Sequence, residues 1–178
     1  MNDAKSYRSL AERLPDAHPA ILRFFEAWTS VRQGRLVPRK PDFDPRHIPS
    51  LLTNVYLYRF DSDRRDFVCL LSGERINQAW NRSIRGLTLR EILGERDHPT
   101  VLQRWRSIIE TPLVHYGSES ERLSRLDTQR AERLILPLES DNGIDHVIGL
   151  SLYTVGLADP DRQPLISSDI VRIPCIEL

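Results

Sequence analysis

The sequence predicts one α+β domain whose sheet is covered by helices on both faces. The chain has 178 residues, of which 40% are hydrophobic, and this length suits one core better than two. The predicted elements run as one helix, two strands, a helical region and three strands. In the first strand, residues 55 and 57 point to one face and residues 56 and 58 to the other, and all four are apolar or aromatic. Both faces of the sheet therefore need a cover.

The first element is an amphipathic helix over residues 19–33. Its apolar residues recur at intervals of three and four, which is typical of one face of a helix. That face consists of Ile21, Phe24, Phe25, Trp28 and Val31. Residues 1–18 are polar and are predicted to form a flexible N-terminus. Gly34 ends the helix, and four prolines mark residues 34–53 as a connector.

The middle of the chain is predicted to contain a strand pair and then helices. Residues 54–60 and 67–71 are rich in β-branched and aromatic side chains and flank a polar turn. Beyond Gly73 the pattern is helical, with a capping box at Thr88 and Glu91 and a helix end at Gly94. A longer helix is predicted to begin near Asp97 to Pro99 and to end at Pro112.

Three strands are predicted to close the domain, over residues 113–123, 133–138 and 146–155. The segment Asp141-Asn142-Gly143 supplies a tight turn between the last two. The domain thus extends over residues 19–155. Residues 156–178 are predicted to form an irregular tail, in which residues 170–176 could add an extended piece along a sheet edge.

Composition narrows the functional classes. Acidic and basic residues balance to a net charge of zero and are interspersed, which disfavours nucleic-acid binding. The densest basic stretch, residues 32–40, lacks the aromatic side chains that stack on bases and is interpreted as a solvated face. The sequence has neither an apolar run of about 18 residues nor a secretory signal, which predicts a cytoplasmic protein without membrane insertion. Cys69 and Cys175 have no disulfide or metal spacing.

An ordered set of short motifs adds a family resemblance. The set consists of Trp28 with Gly34 and Pro38, Phe43-Asp44-Pro45, Ile48-Pro49, the run from Leu70 to Ile76, Gly86 with Leu89, and Leu134 to Leu138 ahead of Ile148-Gly149. From Phe25 to Tyr153 the chain resembles a bacterial family of stand-alone PAS-like domains, once described as a domain of unknown function.

The resemblance implies a five-stranded antiparallel sheet with helices on its concave face, and the N-terminal helix then covers the other face. It also implies a pocket for a small ligand or cofactor between helices and sheet. The side chains expected to line that pocket are Ile76, Trp80, Ile92, Trp105, Ile109 and Tyr116. For Trp80 and Trp105, simple packing in the core is an equally good interpretation.

The histidines raise three further alternatives. His98 beside Asp97 could form an acid–base pair, although Asp97 as a helix cap is the favoured interpretation. Haem needs only one axial histidine, for which His98 or His115 is the candidate; either could instead contact a polar ligand. The five histidines are too scattered to predict a zinc site. No cysteine lies between Gly73 and Glu110, which excludes light-sensing flavin chemistry of the cysteine type.

Two functional hypotheses follow. The first is a non-enzymatic PAS-type sensory module that binds an unidentified small molecule and signals through contacts with a protein partner. The alternative is a ligand-free interaction module, in which the apolar face of the N-terminal helix mediates homodimerisation or docking. No catalytic motif is present, so we predict no enzymatic activity; only Asp97 and His98 keep an enzyme as a third reading.

Overall fold

Six antiparallel strands form one open sheet in the part of the chain that the computed structural model describes, namely residues 10–122, 127–157 and 170–178. The strand order is β2-β1-β5-β4-β3-β6. The strands are β1 (Val55–Asp61), β2 (Asp66–Ser72), β3 (Leu113–Arg122), β4 (Asp127–Ser140), β5 (Gly143–Leu157) and β6 (Val171–Pro174). The helices are α1 (Leu10–Arg13), α2 (Pro19–Ser30), α3 (Glu74–Ala79) and α4 (Leu89–Glu110). The α+β class and the antiparallel sheet are confirmed.

A sixth strand joins the five strands that the family resemblance implies. Residues of β6 pair with β3 from Leu113 to Tyr116, where residues 170–176 were expected to add an extended piece along a sheet edge. This pairing covers an edge of the sheet, and Pro174 stands at the last position of the strand, where a missing N–H is tolerated. At the opposite edge, the backbone of Cys69 bonds to Gly86 and Leu87. Both edges are therefore partly covered.

The pleat of the strands separates two cores. In β1, Val55 and Leu57 pack on one side of the sheet while Tyr56 and Tyr58 pack on the other. The pairing between β1 and β2 shifts register at a bulge between Leu57 and Tyr58. Because of this shift, paired residues of β1 and β2 point to the same side of the sheet on both sides of the bulge. The side of Val55 is hereafter the closed face, and the side of Tyr56 is the pocket face.

Helix α2 covers the closed face. Ile21, Phe24 and Trp28 are fully buried there, and Nε1 of Trp28 donates a hydrogen bond of 2.9 Å to the carbonyl oxygen of Pro137. Because a buried indole N–H needs a partner, this bond fixes how the helix sits on β4. Phe25 is also buried, and Val31 is half-buried. These five side chains cover the chain's own sheet, so the expectation that they offer a dimerisation or partner face is corrected.

The ends of the domain carry more order than predicted. Leu10 and Leu14 are buried against the closed-face core, although residues 1–18 were expected to be flexible. At the C-terminus, Cys175 is fully buried in the same core. Residues 1–9 and 158–169 lie outside the described residues. The ends of the described chain therefore help to complete the closed face.

Helices α3 and α4 cover the pocket face. Thr88 caps α4 in a full capping box with Glu91, as predicted. Gly94 interrupts the helix with φ of 77° and ψ of 170°, a backbone conformation that residues other than glycine rarely adopt. Helix α4 is thus two segments joined at Gly94, and the second segment crosses the sheet. Among the described residues, no helix is both long and apolar enough to span a membrane.

Candidate functional site

A pocket lies between both segments of α4, helix α3 and the pocket face of the sheet. Its cavity volume is about 70 Å³, and the cavity opens to solvent on one side. Ligand pockets in proteins typically have volumes of about 300–1,000 Å³, so in this conformation the cavity suits a very small molecule, or one part of a ligand that extends through the mouth. The apolar and aromatic part of its wall consists of Tyr56, Tyr58, Ile76, Trp80, Leu89, Ile92, Leu93, Val101, Trp105, Ile135 and Tyr153.

Trp105 organises the aromatic wall. Its ring stacks on Tyr56 at a centroid distance of 5.9 Å with an interplanar angle of 7°. The same indole meets Tyr58 edge-on at 4.9 Å and Phe67 edge-on at 5.5 Å. Edge-to-face and stacked pairs both stabilise aromatic clusters beyond their buried area. The cluster therefore gives the pocket a preorganised aromatic floor.

Tyr56 needs a glycine beneath it. A Cβ atom built on Gly149 of β5 would collide with the ring of Tyr56. Gly149 pairs directly with Tyr56 in the sheet, so the missing side chain makes the space in which the tyrosine ring lies. The position of this ring, and with it the stack on Trp105, thus depends on a glycine in the neighbouring strand.

The pocket wall also has polar and positively charged residues. Arg104 reaches it from α4 and Arg133 from β4. The Nε of Arg133 donates a hydrogen bond of 3.1 Å to Oγ of the fully buried Ser151, and its guanidinium lies 5.9 Å from the centre of the Tyr153 ring. Burial raises the pKa of Tyr58 well above its usual range, so this hydroxyl stays neutral.

His115 is the polar residue of the wall that lacks a partner. It is 2% exposed, and neither ring nitrogen has a hydrogen-bond partner among the described residues. Burial, together with the charges of Arg104, Arg172 and Arg133, lowers the pKa of the imidazole to about 4. The neutral ring can donate one hydrogen bond and accept another. A buried imidazole without either bond is unfavourable, and a ligand in the pocket could supply them.

The structure brings four of the six predicted pocket residues to this wall: Ile76, Trp80, Ile92 and Trp105. Ile109 packs against the same core but does not line the pocket. Tyr116 lies on the closed face, where its hydroxyl donates a hydrogen bond of 3.1 Å to Glu132. Neighbouring strand residues point to opposite faces, so Tyr116 and His115 cannot both face the pocket. That the four lining residues bind a ligand stays a prediction.

The two candidate histidines have separate environments. His115 lines the pocket, whereas Nε2 of the buried His98 lies 3.1 Å from Oδ1 of Asp66 at the start of β2. Oδ2 of Asp66 also accepts a hydrogen bond from the backbone N–H of Arg90. Asp66 therefore contacts both segments of α4, one on each side of Gly94. Of the two, only His115 is placed to contact a ligand or a haem iron.

Asp97 is neither a helix cap nor the acid–base partner of His98, the two roles that were considered for it. It is exposed and has helical backbone geometry three residues after Gly94, so it lies inside the second segment of α4 and not at the cap position before it; the expected helix cap is corrected. Neither Asp97 nor His98 belongs to the pocket wall. The buried Asp66, rather than Asp97, is the carboxylate that contacts His98, and the acid–base pair that kept the enzyme reading open has no position beside the pocket.

Several wall residues went unrecognised in the sequence. Tyr56 and Tyr58 had a usable signal, because alternation along β1 places both aromatic side chains on one face of the sheet. Arg104, Arg133 and Ser151 had none, since a charged or hydroxylated residue in a helix or strand is typical of a solvated face.

The two cysteines do not line the pocket. Burial raises the pKa of the Cys69 thiol to about 11 and that of Cys175 to about 12, so neither is a thiolate at neutral pH. Within the described ranges, no three histidine, cysteine or carboxylate side chains come close enough to hold a metal ion. The pocket is therefore the strongest candidate for a functional site.

Comparison with known proteins identifies a protein family. The family model described as PAS domain matches residues 16–152, which is more than half of the chain and extends from just before α2 into β5. No curated protein matches the chain. The matched range contains every residue that lines the pocket except Tyr153.

Proposed function

Because the chain belongs to the PAS domain family, whose members are generally non-enzymatic signalling modules, we propose that it is a sensory module that binds a small molecule between α4 and the sheet. The observation that carries this proposal is the pocket itself, which has an aromatic floor and a polar wall. Sites for small molecules typically combine a mostly apolar lining with a few converging polar groups.

The two faces of the sheet support the proposal by their contrast. On the closed face, the buried indole N–H of Trp28 is paired with a carbonyl. On the pocket face, the imidazole of His115 has no hydrogen-bond partner in the described part of the chain and lies beside open space. A domain that only docked to partners would have no need for such a cavity. Since α2 is already buried on the closed face, the dimerisation alternative also lacks its proposed surface.

Signalling would use the break in α4. Ile92 and Leu93 line the pocket before Gly94, and Val101 and Trp105 line it after. A ligand that touches both segments changes the relative stability of their orientations, because it binds one orientation better than the other. A protein partner that binds the outer surface of α4 would then distinguish the two orientations of the segments.

Native mass spectrometry of the purified protein tests the proposal. The intact mass is compared with the denatured mass and with the visible absorption spectrum, which reveals a bound haem. Gly117→Leu places a larger side chain into the pocket and should remove the bound mass. A Cβ atom at this position has ordinary contacts of 3.5 Å, and the remaining atoms of the leucine would occupy space in the pocket. Gln103→Leu, on the exposed side of α4, is the matched control.

The outcomes separate the hypotheses. A bound mass that disappears in Gly117→Leu and persists in Gln103→Leu supports a ligand pocket. A bound mass that persists in both variants places the molecule elsewhere and contradicts the proposal. If the protein carries no extra mass and no compound of a chemically diverse fragment library shifts the amide resonance of Gly117, the ligand-free interaction module becomes the better account.

A further inference from the structure

The charge of the pocket wall points to the chemical class of its ligand. Two charged side chains line the pocket, Arg104 and Arg133, and no carboxylate lines it among the described residues. One arginine belongs to the helix layer and the other to the sheet, so their charges approach the cavity from two sides. A guanidinium has five N–H donors, and an arginine that already bonds a neighbour can also bond a ligand.

His115 is a second and independent observation. Its imidazole is almost completely buried, lines the same cavity and has no hydrogen-bond partner among the described residues. Arg172 of β6, beside it in the sheet, adds a third positive charge to its surroundings. A ligand oxygen that accepts a hydrogen bond from this ring would satisfy a buried donor and would lie in a positive potential.

We propose that the pocket binds an organic acid, with its carboxylate held by Arg104, Arg133 and His115 and its apolar body lying against Trp105. This inference rests on the proposed function and adds the ligand class to it. Arginine binds carboxylates well because its planar fork matches the two oxygens. The aromatic floor of Tyr56, Tyr58 and Trp105 suits a ring or a branched chain.

Other ligand classes fit this wall less well. An amine would bring a positive charge next to two guanidinium groups, which is unfavourable in a partly desolvated cavity. Inorganic phosphate would satisfy the arginines but would leave the aromatic floor exposed to water, with no gain from apolar burial. The carboxylate with an apolar body uses both parts of the wall.

A matched ligand series tests the inference. The probes are isobutyrate, isobutyramide, isobutylamine and inorganic phosphate, which suit the small volume of the cavity and are titrated against the wild-type protein. Binding is read from the amide resonance of Gly117 and the indole resonance of Trp105. We expect the acid to bind about tenfold or more tightly than the amide, because a hydrogen bond to a charged group is stronger than one to a neutral group. The amine and phosphate should bind more weakly than the acid.

Two arginine variants sharpen the test. Arg104→Gln should weaken the binding of the acid about tenfold and leave the binding of the amide nearly unchanged. Arg106→Gln is the control, because Arg106 lies on the same helix, is exposed and pairs with Glu110. The control should bind both probes as the wild type does.

Each outcome bears on a different claim. Equal affinity for acid and amide would overturn the organic-acid inference and leave the proposed function intact, since the pocket would still bind. Binding of phosphate as tight as that of the acid would also overturn it, because the apolar body would then contribute nothing. If no probe binds and a chemically diverse fragment library leaves Gly117 unshifted, the proposed function fails together with the inference.

Discussion

The two faces of the sheet differ in how closely their side chains are packed. On the closed face, α2 presents an apolar stripe in which Ile21, Phe24 and Trp28 are fully buried, and the indole N–H of Trp28 is hydrogen-bonded. On the pocket face, α4 is broken at Gly94 and the aromatic residues cluster around Trp105. A cavity remains there with two arginines and with His115, which has no hydrogen-bond partner among the described residues. The same strands supply both faces, so the difference comes from side-chain alternation and from the covering helices.

The contrast shows how a small domain can combine a closely packed face with an open one. A closely packed face stabilises the fold because it buries apolar area without voids. The other face can then keep open space and unpaired polar groups, which cost stability but offer contacts to a ligand. Four changes should reveal this difference, and they are given from the largest expected effect to the smallest.

Tryptophan truncation should separate the faces most clearly. Trp28→Ala removes a fully buried side chain from the closed face and should lower the free energy of unfolding by about 3–5 kcal/mol. Trp105→Ala enlarges an existing cavity that water can enter, and its cost should be lower by about 1 kcal/mol or more. Urea unfolding followed by circular dichroism measures both values. Equal losses would mean that the pocket face is packed as closely as the closed face.

Acid should destabilise the pocket face through His115. The folded pKa is lowered to about 4 from 6.5, so between these values the unfolded chain binds the additional proton. Stability therefore falls as the pH drops from 6.5 to 4, by up to about 3 kcal/mol at the lower end. The pH dependence of the urea midpoint measures this slope. His115→Gln should flatten it in that window, and an unchanged slope in the variant would contradict the buried neutral imidazole.

Glycine substitutions should distinguish a filled position from an open one on the pocket face. Gly149→Ala forces the Tyr56 ring to move and should cost about 1–3 kcal/mol of stability. Gly117→Ala adds a Cβ with ordinary contacts of 3.5 Å and should be tolerated with a smaller loss. Thermal unfolding of both variants checks the pair. A larger loss for Gly117→Ala would show that the pocket wall has less room than described.

Removing one hydroxyl should have the smallest effect. Ser151→Ala deletes the oxygen that accepts the hydrogen bond from Nε of Arg133 and should cost about 1 kcal/mol. Ser140→Ala, at the exposed turn between β4 and β5, is the control and should stay within about 0.5 kcal/mol of the wild type. Urea unfolding resolves the difference. A Ser151 variant as stable as the control would mean that the Arg133 contact contributes little to holding the wall.

Local patterns predicted most of the elements. The spacing of the apolar residues in α2, the capping box at Thr88 and the turn before Gly143 each depend on neighbours within a few residues, and the structure contains all three. That Ile92 and Trp105 line the pocket was expected from the family resemblance and not from local spacing. Strand β6 was harder, because its pairing with β3 joins residues far apart in the chain.

The polar half of the site could not be predicted, for a physical reason. Arg104 and Arg133 resemble solvated residues in any local pattern, and their position at a cavity depends on how α4 crosses the sheet. The face on which His115 lies is equally non-local: alternation shows that it opposes Tyr116 but not which of the two faces the helices leave open. His98 likewise has its carboxylate in a distant strand, at Asp66.

A crystal structure of the protein as purified, read at the cavity between Trp105 and His115, tests the central claim most directly. Our account predicts electron density for a small organic molecule there, with an oxygen within hydrogen-bond distance of His115 and an apolar part against Trp105. A cavity closed by the side chains of Trp80 and its neighbours, with His115 bonded to another residue of the chain, would contradict the account and leave both faces of the sheet closed.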